Sequence, residues 1–159
     1  MRLIIIVLFA VIAACGCGRS IDSARTPQST GMNSLPAGSV LVTVEGAQST
    51  GVPYEIMAFT SRFVTVSAAM QTNAGTRPAQ NFTGVPLYHL VAASVSTNTP
   101  IRLIDVIGRD GYSQAFRANE VLTNETLLLV PTDDDSCNLV AKGQPAFRWV
   151  RDVVAISIK

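Results

Sequence analysis

The chain has 159 residues, 48% of them hydrophobic and 14% charged, and its 12 Lys+Arg nearly balance its 11 Asp+Glu. No run of cations supplies the clustered basic field that nucleic-acid binding or polybasic membrane attachment requires, so both are set aside. Three cysteines, at positions 15, 17 and 137, do not make a paired disulfide framework.

The chain opens on Met1-Arg2, an unbroken apolar run over residues 3–14, and Cys15. One positive charge, a dozen apolar residues and small residues ahead of a cysteine form an export signal. A transmembrane helix is the competing reading. Twelve residues at helical rise reach only about 18 Å, short of a hydrocarbon core of ~30 Å, and no Lys/Arg cluster follows to stop transfer. The stretch Ile12-Ala13-Ala14-Cys15 resembles the lipobox of bacterial lipoproteins. That resemblance implies cleavage before Cys15 and lipidation of its sulfur, with two acyl chains giving stable attachment. Removing residues 1–14 takes away Arg2 and no acid, leaving 11 Lys+Arg against 11 Asp+Glu. The expected location is the cell envelope. In a Gram-negative cell it is the periplasmic face of the outer membrane, because Gly16 stands where an inner-membrane retention aspartate would. Cys17 is either free or a second acylation site.

Residues 15–37 are small and polar (Gly16, Gly18, Ser20, Pro27, Ser29, Gly31, Pro36), with too little apolar surface to offset ordering entropy. They are expected to form a tether with a reach of roughly 25 Å. Residues 38–159 suffice for one core burying about two-thirds of the unfolded surface, so the chain reads as signal peptide 1–14, tether 15–37 and a single domain 38–159.

Within that domain the β-branched run 40–46 predicts a strand ending in a turn at Gly46. Gly51-Val52-Pro53 reads as punctuation, 63–67 as a strand and the aperiodic stretch 71–81 as a loop. Pro86 fits the first turn of a helix whose Leu87, Leu90 and Val91 share one face. After the break at 97–100, residues 101–107 predict a strand carrying Arg102 and Asp105. Asp110-Gly111 then supplies the positive-φ residue of a tight turn. Residues 118–122 read as a short helix, 126–130 as a strand closed by Pro131, and Asp133-Asp134-Asp135 as a solvated turn lacking the alternating spacing of a calcium loop. Strands at 136–141 and 153–158 complete an α+β, β-rich single domain with one or two short helices.

The order of the later motifs carries a second resemblance: Phe82-Thr83-Gly84-Val85-Pro86-Leu87, then Asp110-Gly111-Tyr112, Leu127-Leu128-Leu129-Val130, Asn138-Leu139-Val140-Ala141-Lys142-Gly143 and Arg148-Trp149-Val150. Together they resemble the oxidoreductase molybdopterin-binding domain of the sulfite-oxidase-like family, in a short form covering residues 40–159. The resemblance implies a molybdenum–pyranopterin cofactor held by a cysteine thiolate just after the strand at 63–67. Here that stretch reads Ser67-Ala68-Ala69-Met70-Gln71-Thr72-Asn73-Ala74-Gly75, without a cysteine, and Arg62 and Arg77 flank it. A neutral thioether replaces a thiolate poorly, and Cys137 does not match the ligand position.

The resemblance also turns the loop of Arg109, Asp110 and Tyr112 towards the cofactor and substrate pocket, with Arg148, Trp149 and Arg151 near it. An arginine there could hold an oxyanion through paired hydrogen bonds. Arg109, Asp110, Tyr112 and Arg148 are therefore the candidate ligand-binding residues, each with a plain reading beside it as turn or packing residue. His89, the one histidine, lacks the partners of a catalytic or metal site. The expectation is a cofactor-free domain with no metal that binds a small ligand or an envelope protein partner, with catalysis left open and no catalytic residue assigned. The alternative is an extracytoplasmic molybdopterin-dependent oxidoreductase with a non-standard metal site.

Overall fold

The computed structural model describes residues 36–46 and 51–159. The expected signal peptide, Cys15, and all but the last two residues of the expected tether lie outside the described residues. Strand β1 (Ser39–Val44) buries Val40 and Val42 at alternate positions, as a period of two requires. Gly51-Val52-Pro53, read as punctuation, instead opens strand β2 (Val52–Glu55). Pro53 is tolerated because β2 pairs with β1 alone and so lies at a sheet edge. A 3-10 segment (Ile56–Arg62) leads into β3 (Val64–Ala68), where a strand was expected.

The stretch read as a loop at 71–81 holds a small hairpin, β4 (Gln71–Thr72) and β5 (Gly75–Thr76), and the first residues of β6 (Gln80–Pro86). Its polar sequence has no periodicity to announce strands so short. Gly75 at φ +121 and a bond from Thr72 Oγ1 to Gly75 O at 2.8 Å close the turn. Pro86 ends β6 and stands just ahead of helix α1 (Leu87–Ser94), one position before the expected first turn. Leu87, Leu90 and Val91 are fully buried on the shared face.

Strand β7 (Leu103–Gly108) is followed by β8 (Ser113–Arg117), a strand with no β-branched residue and no sequence signal. Pairing with β7 across the Asp110-Gly111 turn imposes it. Helix α2 (Ala118–Leu122) begins where expected, with Glu120 Oε2 accepting from the Arg117 backbone N–H at 3.0 Å. Strands β9 (Leu127–Pro131) and β10 (Cys137–Ala141), a 3-10 turn (Ala146–Arg148) and β11 (Val153–Ile158) complete the described chain.

The strands form a five-stranded sheet in the order β2-β1-β11-β7-β8 and a four-stranded sheet β10-β9-β6-β3. The main core joins Val40, Ile104, Val106, Ile156 and Ile158 from the first sheet to Val85, Leu127, Leu129 and Leu139 from the second, with Phe116 and the buried face of α1. Because side chains alternate along a strand, the neighbouring residues point to the other face of the second sheet. There Ala68, Leu128 and Val140 make a smaller cluster with Val66, Phe82, Val130 and Trp149. Among the described residues no helix is long and apolar enough to cross a membrane.

Candidate functional site

The turn after β7 is built as its Asp-Gly pair predicts. Gly111 takes φ +82, its N–H donates to Gly108 O at 3.0 Å, and Asp110 Oδ1 accepts from the Tyr112 N–H at 2.9 Å. The Tyr112 hydroxyl donates to the Phe147 carbonyl and accepts from Gln114 Nε2 at 2.9 Å. Arg148 is engaged through both terminal nitrogens, while its Nε is buried with no acceptor among the described residues. Its Nη2 pairs with Glu120 Oε1 at 2.8 Å, its Nη1 donates to Ala115 O at 3.1 Å, and its Cζ lies 4.2 Å from the centre of the Phe116 ring. Tyr112 and Arg148 thus fasten the 3-10 turn at 146–148 to β8 and α2.

Arg109 lies elsewhere. It borders a cavity of about 250 Å³ with Ser39, Asp135, Ser136 and Cys137, and its backbone N–H donates to Asp152 O at 2.8 Å. The four residues singled out in the sequence therefore do not converge on one cavity. The Cys137 thiol is 2% exposed and 3.8 Å from the Val153 carbonyl. Burial, helped by the nearby Asp152 carboxylate, pushes its pKa up to about 12.

A cavity of about 420 Å³ lies against the small cluster on the second sheet. One wall is the β4–β5 hairpin, held by the Gln71–Pro145 bridge and by the Arg77 N–H donating to Met70 O at 3.0 Å. The other is the segment from Ala146 to Arg151, fixed where Leu139 and Val150 exchange backbone bonds at 2.7 and 3.2 Å. Met70, Arg77, Phe82, Asn138, Trp149 and Arg151 line it, and no carboxylate does among the described residues. Phe82 and Trp149 meet edge to face, with ring centres 5.5 Å apart. The Trp149 Nε1–H is buried with no acceptor among the described residues. Arg77, Trp149 and Arg151 stand out in the sequence as charged or aromatic residues, and Phe82 and Asn138 open two of the motifs that carry the resemblance, but none of the sequence patterns assigns Gln80, Phe82 or Asn138 to a site.

The described residues do not fit a thiolate-held molybdenum. The sulfur bordering the larger cavity belongs to Met70, a neutral thioether. The Cys137 thiol borders the other cavity and keeps its proton near neutrality. Asp133, Asp134 and Asp135 are exposed in the turn between β9 and β10. Hydrogen bonds from the Thr132 and Ser136 hydroxyls hold the Asp134 carboxyl below its usual range. His89 stacks beside Tyr88 at 4.0 Å. Partial burial and the charge of Arg62 lower its pKa against the opposing pull of Glu125.

No family model matches the chain, and no curated protein does. Among solved structures it is similar to the sulfane dehydrogenase SoxCD from Paracoccus pantotrophus, with a TM-score of 0.59 and 13% identity. The match covers 76% of this chain and 37% of that one, so the chain spans little more than a third of its structural neighbour's length. At that identity the likeness establishes the fold alone, a β-rich α+β domain.

Proposed function

We propose that the protein is a cell-envelope lipoprotein, anchored through Cys15, whose domain works without a molybdenum cofactor. In place of the cofactor it holds a small anion with a flat apolar body in the cavity between the β4–β5 hairpin and residues 146–151. The make-up of that cavity carries the reading: two guanidinium groups, aromatic walls, and Met70 in place of a thiolate. Its volume of about 420 Å³ falls in the range of small-molecule sites, which are mostly apolar with a few placed polar groups. Arg77 and Arg151 would bind the anionic head through charge-assisted hydrogen bonds. Phe82 and Trp149 would take the flat body. The reading assigns binding and no bond-making step.

The test begins with the full chain, exported from a host that makes molybdenum cofactor. Molybdenum at background is expected; one atom per chain would overturn the proposal and favour an extracytoplasmic oxidoreductase. Calorimetry on the same protein should then show binding of 2-naphthoate but not of 2-naphthylmethylammonium. Arg151→Gln should weaken naphthoate binding by about tenfold, the loss of one charge-assisted bond. Equal binding of both probes, or none, would remove the anion site.

A further inference from the structure

The two larger sheets have four edges, and three of them are blunted against further strand pairing. Strand β2 is four residues long and carries Pro53, which has no N–H to offer. On β8 the Arg148 guanidinium occupies the Ala115 carbonyl. On β10, Leu139 exchanges both backbone bonds with Val150. The fourth edge, β3, pairs with β6 on one side and with nothing on the other among the described residues. It has no proline, no charged residue and no bulge, the devices by which sheet proteins guard an edge. Its Val64, Thr65 and Ser67 are exposed, Val64 at 36%.

The sequence of this strand is complementary to itself. Val64-Thr65-Val66-Ser67-Ala68 laid antiparallel against a second copy, with the two-fold axis at Val66, sets Val64 opposite Ala68, Val66 opposite Val66 and Thr65 opposite Ser67. Apolar residues then meet apolar ones on the face of the Phe82–Trp149 cluster, and hydroxyls meet hydroxyls on the other. A register centred on Thr65 sets Phe63 against Ser67 and loses this match. No charge stands opposite a like charge, and the pairing is isologous, so it closes at two copies.

We infer that β3 is a homodimerisation edge, joining the four-stranded sheets of two copies into one eight-stranded sheet with Val66 on the axis. The occupant is a second copy of this chain, because the strand's own pattern supplies the matching face. The pairing is independent of what the cavity binds.

Sedimentation of the full-length protein in density-matched detergent reads the state directly. The wild type should be a dimer. Thr65→Lys with Ser67→Lys places lysine against lysine twice and should raise the dimer dissociation constant by about tenfold or more. Thr65→Lys with Ser67→Glu places lysine against glutamate twice in this register and should restore the dimer, whereas a Thr65-centred register would oppose like charges. Diluted to where all three are monomeric, the proteins should show closely similar urea transitions, since both positions are exposed and so is the Thr65–Thr83 hydroxyl bond that the two variants lose. A monomeric wild type, a dimer indifferent to the lysine pair, or one that the Lys/Glu pair fails to restore would each overturn this pairing.

Discussion

Arg148 and Cys137 show how environment decides what a reactive-looking side chain does. The Arg148 side chain is 18% exposed and spends its guanidinium on Glu120, the Ala115 carbonyl and the Phe116 ring. Arg148→Ala should lower stability by about 2 kcal/mol in urea unfolding, through lost charge-assisted bonds and ring contact. Arg151→Gln, whose guanidinium the proposal places on the anion, should weaken naphthoate binding and leave stability nearly unchanged. For Cys137 the sign of the pH effect follows from its raised pKa. Below pH 9.0 the folded and unfolded chains both keep the thiol proton. Above that, the unfolded thiol ionises while the buried one holds its proton until about 12, so stability falls as pH rises through that window. Urea titrations at pH 7 and pH 10 should show a smaller loss for Cys137→Ala than for the wild type. Equal losses would mean that the buried thiol does not contribute.

At the scale of elements, the Gly84-Val85-Pro86-Leu87 stretch has a physical reason for each part. A Cβ on Gly84 would stand 2.3 Å from the Leu129 carbonyl oxygen and 2.9 Å from the Val130 Cα. These are backbone atoms of the paired strand β9, which cannot swing aside as a side chain would. Gly84→Ala should therefore push β6 and β9 apart and cost about 3 kcal/mol, measured by thermal unfolding. Val85 reaches the main core, Pro86 ends the strand, and Leu87 starts the buried face of α1. The start of the helix was readable in the sequence, because Pro86 and the spacing of Leu87, Leu90 and Val91 act locally; the strand ending at Pro86 and the need for Gly84 were not, because both depend on β9. Strand β8 was not, because Ser-Gln-Ala-Phe-Arg becomes a strand only where β7 provides the partner.

Over the whole molecule, closure of the first sheet depends on the two ends of the domain. Strand β11 lies between β1 and β7, parallel to β1, and Thr43 Oγ1 reaches Ile156 O across 113 residues. Such pairing is paid for in loop entropy before any contact rewards it, which favours slow folding. The outermost ion pair, Lys159 Nζ to Asp105 Oδ2 at 2.7 Å, is solvent-exposed on the lysine side and adds little to that closure. The proposed anchor fixes the molecule from outside this fold. Cells fed labelled palmitate should label the wild-type protein and not Cys15→Ser; equal labelling would remove Cys15 as the lipid site.

The sequence by itself determined the elements whose signals are local. These are the β-branched strands β1, β3 and β11, the Asp110-Gly111 turn, the face of Leu87, Leu90 and Val91, and from their order the β-rich α+β class. Each follows from periodicity or from backbone freedom within a few residues. Convergence in space was decided only by the tertiary structure. Arg109, Tyr112 and Arg148 looked like one cluster, yet strand pairing sends Arg109 to one cavity and commits the other two to holding a turn. The cavity of Arg77, Phe82, Trp149 and Arg151 draws on residues up to the full width of the second sheet apart. Side-chain alternation says that a strand has two faces; which distant residue covers the second face is set by non-local pairing, and no stretch of sequence contains it.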